Sequence, residues 1–390
     1  MSKMLFIFER DMPTVSIIRE MFSGLRDYPE IETSFMYLMD VMPRDIDAND
    51  LIILIRPNNN YSWKIAKQAR LSGHLVITYC DDDLLNLPRD NASISWRKAG
   101  LKKALSESDV IWSSSPYILK KYQGYTVQNR TAHFDTVIGA DEINGIDLKR
   151  TGSTTKIVYA AAPSHAELFE KFVNPITPRL FKQYGDQISF TFVSVHPEFS
   201  GGKCTYVPGM PLKDYRDYMK RERFDIGLAP LYDDEFSKCK YFNKYLEYTM
   251  HGIVGIYSNT EPYTFVIKNK ENGFLTENTA ESWYDALSFA INEVQVRRNC
   301  LNNAIRYLKD KHSEQACLEK IIKDIPEILM VKSKYLNCKN FQNVKIMYIA
   351  TRPLETIYLA FFYFHRFGIR ALIKRISRHF VEAKAYKRRK

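Results

Sequence analysis

The sequence of 390 residues lacks the features that mark several classes of protein. Its six cysteines, at positions 80, 204, 239, 300, 317 and 338, include no CxxC pair and have no even spacing, which argues against a zinc site or a disulfide framework. The apolar run in MSKMLFIFERDMP has only five residues before Glu9, too few for a signal sequence. No internal repeat or low-complexity segment is present. We therefore expect a cytoplasmic protein with reduced thiols and no bound metal or other cofactor.

The net charge of +11 is concentrated at the C-terminus. Residues 364–390 contain ten lysines or arginines and one acidic residue, Glu382. The rest of the chain is therefore nearly neutral. With 45% hydrophobic residues, a chain of this length can bury more than one domain core.

Short aliphatic runs alternate with longer amphipathic stretches up to about residue 330. The runs MLFIF, TSFMYL, LIILI, HLVITY and DVIWSS predict strands, with helices between them over 14–27 and 60–71. After a turn-rich segment at 141–155 the alternation restarts with KIVYA, ISFTFVS, DIGLAP and GIVGIYS. Such alternation predicts parallel sheets covered by helices. We expect an α/β protein with two Rossmann-like domains, 1–150 and 151–330, which face a ligand-binding cleft.

The stretch KYFNKYLEYTMHG (240–252) contains four polar residues in a mostly apolar and aromatic segment. If the segment is one helix, Lys240, Lys244, Glu247 and His251 lie on one narrow stripe. A solvated face with weak ion pairs is the simpler interpretation. The like-charged pair Lys240 and Lys244, which an anion would relieve, favours instead a stripe turned toward a cleft that binds a negative, hydroxylated ligand.

A second phosphate-binding element is predicted after the strand GIVGIYS. The segment NTEPYTFVI has the pattern of a helix start, with Asn259 or Thr260 as the cap and Pro262 in the first turn. Free N–H groups at such a terminus favour phosphate, and a nearby glutamate could accept hydrogen bonds from a ribose diol. The combination indicates a nucleoside diphosphate.

The segment DIGLAPLYDDEFSKCKYFNKYLEYTMHGIVGIYSNTEPYTFVIKNKENGFL (225–275) resembles the donor-binding region of GT-B glycosyltransferases, particularly the group 1-like enzymes of bacterial surface polysaccharides. The matching pattern is D-I-G-[LI]-A-P-L, then F-x-x-x-K-x-x-x-K-x-L-E-Y, G-[IV]-x-V, P-Y and N-G. Weaker similarity extends over about 75–312, including APSH (162–165) and VITYCDDDLLNLP.

The resemblance implies roles for particular residues. Glu247 would bind the donor ribose, and Lys240 and Lys244 would face the diphosphate. From their places in the chain, we also expect donor contacts from His251, Ser164, Pro262 and Tyr263; the alternative for Ser164 is a helix cap. His165 could contact the donor phosphate and is a candidate catalytic residue. Two positions depart from the family pattern. Cys239 replaces the first of two glutamates typical of retaining members, and RDMPTVS replaces a glycine pair near the N-terminus.

Three consecutive carboxylates, Asp81, Asp82 and Asp83, follow the predicted strand HLVITY. At a cleft rim, one of them could act as general base for an acceptor hydroxyl or hold that hydroxyl by a hydrogen bond. The alternative is an acidic cap at a helix N-terminus. A DxD-type metal site is not expected by analogy with GT-B enzymes.

The C-terminal segment 331–390 predicts an amphipathic basic helix. Its apolar run IYLAFFYF (357–364) is too short to span a bilayer. Beyond it, Arg366, Arg370, Lys374 and Arg378 recur every four residues, with apolar residues on another side, as in a helix that lies in an anionic membrane interface. The alternative is that the aromatic residues dock on the protein body. No nucleic-acid-binding fold accompanies this basic segment.

Together these features predict a peripheral enzyme at the inner face of the cell membrane. It would transfer a sugar from a nucleotide sugar to a lipid-linked glycan, in the synthesis of a capsule, O-antigen or similar polymer. Two alternatives remain at this stage: a nucleotide-sugar 2-epimerase of the same fold, and a non-catalytic binding protein.

Overall fold

The computed structural model describes residues 2–23, 31–86, 95–146 and 153–330, with single residues and short stretches between 353 and 373. Two six-stranded sheets form its framework, and every strand pair in them is parallel. The strands are buried apolar runs; all five residues of LIILI, for example, are buried. Burial on both faces is what a helix-covered parallel sheet requires.

The first sheet contains β1 (Ser2–Phe8), β2 (Ile31–Tyr37), β3 (Leu51–Ile55), β4 (Leu75–Tyr79), β5 (Val110–Ser113) and β6 (Arg130–His133), in the order β2-β1-β3-β4-β5-β6. The helices of this part are α1 (Pro13–Ser23), α2 (Pro43–Asp47), α3 (Asn60–Leu71), α4 (Ser95–Leu105), α5 (Pro116–Tyr122) and α6 (Ala140–Asn144). All five strands predicted in this half are confirmed, and β6 was not predicted.

The second sheet contains β7 (Thr155–Ala160), β8 (Ile188–Val193), β9 (Cys204–Val207), β10 (Ile226–Ala229), β11 (Val254–Ser258) and β12 (Phe274–Thr276), in the order β12-β11-β10-β7-β8-β9. The helices are α7 (Ala166–Phe172), α8 (Thr177–Tyr184), α9 (Leu212–Glu222), α10 (Glu235–Lys238), α11 (Asn243–Met250), α12 (Ala280–Asn292), α13 (Val294–His312) and α14 (Glu314–Asp324). Gly227 in β10 has no room for a side chain, because a Cβ there would lie 2.5 Å from the ring of Tyr248.

The last residues of the predicted second domain pack against the first domain. Ile321, Ile325 and Ile328 are buried in the same core cluster as β1, β3 and β5. Arg130 on β6 forms a two-pronged ion pair with Glu327, at 2.6 and 3.1 Å. The predicted domain 151–330 is therefore corrected: residues 314–329 pack on the first sheet, because their apolar side chains complete its core.

The C-terminal segment falls largely outside the described residues, which leave out 331–352 and 374–390. The residues described between 353 and 373 are helical, and their large apolar side chains are exposed: Leu354, Ile357, Tyr358, Phe361, Phe364, Ile369 and Ile373. Within the described part of the chain, no helix combines the length and the apolar character needed to cross a membrane.

Candidate active site

A cavity of about 750 Å³ lies between the two sheets. Residues of both domains form its wall. The first domain contributes Thr14, Ile17, Tyr79, Asp81, Asp82, Ser114 and Thr136, and the second contributes the loop 160–162, His165, Ser194, Tyr215, Lys240, Lys244 and Tyr263, among others. The predicted cleft between the domains is therefore present.

Lys240 and Lys244 both line this cavity, but they do not belong to one helix. α10 ends at Lys238 and α11 begins at Asn243, so Lys240 lies in the connection. The single helix predicted over 240–251 is wrong. Tyr241 and Phe242 interrupt it by burying their rings, and the Tyr241 hydroxyl donates to Asp135 Oδ1 of the first domain at 3.0 Å.

Glu247 lies next to the cavity wall, held by two groups that form it. Lys244 Nζ donates to both carboxylate oxygens, at 2.8 and 3.0 Å. The Tyr215 hydroxyl donates to Oε1 of the same carboxylate, and burial, followed by the charge of Glu247, raises the pKa of Tyr215. A carboxylate has about four lone-pair positions, so Glu247 keeps accepting capacity for a further hydroxyl.

His251 is separated from the other stripe residues. It follows the last residue of α11 and lines a second cavity of about 580 Å³, between α1, α6 and α9. Burial lowers its pKa to about 4. Its predicted place beside the donor is therefore corrected, because the break before α11 and the end of that helix turn the two ends of the segment toward different cavities.

Asp81 and Asp82 share one arginine that the sequence analysis missed. Arg56 Nη1 lies 3.2 Å from Asp81 Oδ1, and Nη2 lies 3.3 Å from Asp82 Oδ2. Thr14 Oγ1 also donates to Asp81 Oδ2 at 2.5 Å, and Lys240 Nζ lies 4.0 Å from Asp82 Oδ1 across the cleft. Burial, and then the charge of Asp81, raises the pKa of Asp82.

Asp83 is a support for the loop and does not line the cavity. It accepts hydrogen bonds from Tyr122 at 2.8 Å, Lys121 at 2.5 Å and Asn86 at 3.0 Å. Burial works to raise the pKa of Asp83, but these hydrogen bonds, led by that of Lys121, lower it overall. The prediction of a catalytic role for Asp83 is corrected, because its oxygens are directed to protein donors. Residues 80–86 also begin no helix, so the capping alternative does not hold for the described part of this loop.

His165 lines the cavity at the end of a 3-10 turn, Pro163–His165, that precedes α7. Burial, followed by the charges of Lys240 and Lys244, lowers its pKa to about 4. The side chain of Ser164 is outside the described residues, so its predicted donor contact stays a prediction. At neutral pH His165 is thus an uncharged donor or acceptor in the same cavity as the two lysines.

The segment after β11 forms no regular helix. A 3-10 turn, Tyr263–Phe265, replaces the predicted one, and only Tyr263 of the predicted pair Pro262 and Tyr263 lines the cavity. The turn ends because Asn272 Nδ2 donates to Val266 O at 2.9 Å and Asn272 Oδ1 accepts from Lys268 N at 2.8 Å. The proposed helix terminus for phosphate is therefore corrected.

Thr14, Arg56 and Tyr215 are site residues that sequence reasoning missed. Arg56 directly follows the buried run LIILI. Polar residues that follow a parallel strand lie at the cleft edge of the sheet, so the reasoning that identified the carboxylates after β4 applies to Arg56 as well. Its backbone φ is 51°, in the left-handed region, where a non-glycine residue is uncommon. Thr14 and Tyr215 carry no comparable signal, because only the folded chain brings them to the cleft.

Solved structures define the class of the fold. No protein-family model and no curated protein matches the sequence significantly. HepE from Anabaena in complex with UDP is similar over 83% of this chain and 100% of its own, with a TM-score of 0.59 and 11% identity. A glycosyltransferase from Rickettsia africae is similar over 85% of this chain and 99% of its own, with a TM-score of 0.58 and 11% identity. The lipopolysaccharide outer core galactosyltransferase WaaB is similar over 84% of this chain and 99% of its own, with a TM-score of 0.56 and 11% identity. The chain therefore has the GT-B fold predicted from its sequence.

The position of His165 predicts a pH dependence of anion binding. A diphosphate placed against Lys240 and Lys244 would offset their charge and raise the pKa of His165 from about 4. The bound state then holds more protons than the free state, so affinity rises as pH falls toward about 4, the pKa of His165 in the free state. Titration calorimetry in buffers of different ionisation enthalpy should show proton uptake that His165→Gln removes. Equal uptake in the variant would contradict this assignment.

Proposed function

We propose that the protein is a glycosyltransferase that moves a sugar from a nucleoside-diphosphate sugar to a lipid-linked glycan in bacterial surface polysaccharide synthesis. The observation that carries this proposal is that Lys240 and Lys244 line a cleft between two Rossmann-like domains, with Glu247 bound to Lys244 beside it. Two cations with a neighbouring carboxylate match a diphosphate joined to a ribose diol.

The donor would lie along the second domain. Lys240 and Lys244 would meet the negative charge that develops on the leaving diphosphate, and charge-assisted contacts of this kind lower the barrier to departure. The carboxylate of Glu247 would accept a hydrogen bond from a ribose hydroxyl. We expect these protein groups to suffice without a metal ion, so activity should persist in EDTA.

The acceptor would meet the first domain. Asp82 lies opposite Lys240, and its raised pKa suits it to accept a proton from an acceptor hydroxyl. Asp81 is held by Arg56 and Thr14 and is suited to hold a hydroxyl by a hydrogen bond. Either role places the acceptor between these carboxylates and the donor.

Structural relatives support the choice of donor class. HepE has been solved with UDP and with UDP-glucose, and the present chain spans its whole length. WaaB acts on the lipopolysaccharide outer core, according to its name. Other proteins of this fold therefore bind a nucleotide sugar or act on a surface glycan.

The C-terminal segment would hold the enzyme at the inner face of the cell membrane. Phe361 and Phe364 are exposed, and the basic residues of 357–390 would be attracted to anionic lipid. Loss of vesicle binding in a Phe361→Asp, Phe364→Asp variant would support this role, and unchanged binding would refute it.

The proposal predicts nucleotide-dependent glycosyl transfer by the full-length protein. Incubated with a panel of nucleotide sugars and membrane-extracted lipid-linked glycans, it should release the nucleoside diphosphate and extend the glycan only when both substrates are present. Interconversion of the sugar without an acceptor would indicate the epimerase instead. Absence of binding to every nucleotide by calorimetry would indicate a non-catalytic protein.

A further inference from the structure

Three consecutive helices of the first domain carry positive charge and no negative charge. Within their described bounds, α3, α4 and α5 contain three, four and two basic residues and no aspartate or glutamate. Three of these nine, Arg70, Arg97 and Lys121, pair with carboxylates outside the three helices, so the excess comes from the other six. α9 of the second domain, in contrast, mixes both signs. The excess is therefore local, although the chain outside its C-terminal segment is nearly neutral.

Aromatic side chains join these basic residues into one surface. Lys67 and Lys103 lie over the ring of Trp63, at 5.7 and 4.8 Å from its centroid, and Lys102 lies 5.7 Å from the ring centroid of Tyr125. α3 and α4 pack closely at Gly100, where a Cβ atom would lie only 2.5 Å from the backbone of Asn59. We call these five residues, Trp63, Lys67, Lys102, Lys103 and Tyr125, the basic face.

Large apolar side chains are exposed beside the basic face. Leu71 at the end of α3 is 54% exposed, Val127 is 49% exposed and Tyr125 is 39% exposed. Leu71 and Val127 lie just before β4 and β6, at the edge of the first sheet opposite the cleft. Lysines in the last turn of a helix stabilise its dipole, but the dipole explains neither the lack of acidic residues along whole helices nor these exposed apolar groups.

We propose that the basic face is a docking surface for anionic lipid, separate from the C-terminal segment. Lysines beside exposed aromatic and aliphatic side chains suit a layer that offers both negative headgroups and hydrocarbon. A nucleic acid would satisfy the lysines but leave Leu71 and Val127 exposed to water. Two separate contacts would hold the body of the enzyme in a fixed orientation, because a single terminal anchor leaves it free to rotate.

A charge-reversal experiment on the full chain tests this surface. Flotation with phosphatidylcholine vesicles, with and without phosphatidylglycerol, should show binding that depends on the anionic lipid. Lys67→Glu, Lys102→Glu and Lys103→Glu combined should weaken that binding by about a hundredfold or more, since each basic residue at an anionic surface contributes a factor of about five. Nucleotide binding should be unchanged, which separates this result from the proposed function.

A matched variant controls for net charge. Lys182→Glu, Lys203→Glu and Lys309→Glu change the charge equally at exposed positions of the second domain and should retain most vesicle binding. Equal losses in both variants, no loss in the first, or preferential binding of the wild type to RNA would overturn the proposal. As a second measurement, Trp63→Phe should remove a vesicle-induced blue shift in tryptophan emission, and a shift that persists unchanged would also contradict it.

Discussion

Replacing Glu247 by alanine is expected to weaken binding of a nucleoside-diphosphate sugar by about tenfold to a hundredfold. The carboxylate is held in place by Lys244 and Tyr215 and would accept one hydrogen bond from the ribose diol at its remaining lone-pair position. A hydrogen bond to a charged group contributes about 1.5 to 3 kcal/mol, so its loss corresponds to about one to two orders of magnitude. Calorimetry with the nucleotide sugar measures the effect directly.

A modified ligand separates ribose binding from an indirect effect on Lys244. The wild type should bind a 2′,3′-dideoxy nucleotide much more weakly than the ribonucleotide, and Glu247→Ala should bind both equally. Glu235→Ala provides the control, because this glutamate lies on the preceding helix with its side chain 82% exposed. A variant that still discriminates between the two nucleotides would remove Glu247 from the ribose site.

Replacing Lys240 by methionine is expected to weaken binding of the diphosphate by about thirtyfold while leaving nucleoside binding nearly unchanged. Its Nζ lines the cavity, and its nearest carboxylate is 4.0 Å away on the opposite domain. A charge-assisted contact to phosphate contributes about 2 kcal/mol, which is close to that factor. Affinities for the nucleoside, monophosphate and diphosphate, measured in series, would locate the loss.

Lys238 supplies a matched control two residues away. It is paired with Asp233 at 3.3 Å and does not line the cavity, so Lys238→Met should bind the diphosphate as the wild type does. An equal loss of nucleoside affinity in Lys240→Met would show that the substitution disturbs the fold of the cleft instead of removing a phosphate contact.

The sequence predicted the sheets well because their signal is local. A strand buried in a parallel sheet is a short continuous apolar run, and LIILI and GIVGIYS carry that signal within a few residues. The predictions failed where distant contacts decide the structure. Tyr241 interrupts the expected helix through its bond to Asp135, and α14 leaves the second domain to fill a core formed by the first.

The candidate site was predictable in part for the same reason. Lys240 and Lys244 belong to a motif contained in one stretch of chain, and both line the cleft. Other contacts of this stretch come from distant parts of the chain. Tyr215 on α9 donates to Glu247, and Asp82 of the other domain faces Lys240. Asp83 is the same residue type as its two neighbours, but it accepts hydrogen bonds from Lys121 and Tyr122 and does not line the cavity.

The sequence by itself determined the fold class, the division into two α/β units and the segment that carries the two lysines of the cleft. These follow from periodicity, composition and motif spacing, which depend on residues close together in the chain. The tertiary structure alone decided which two of three adjacent carboxylates line the cleft, that Arg56 binds both of them, and that His251 faces another cavity. Those outcomes depend on contacts between residues far apart in sequence, and no local pattern records such contacts.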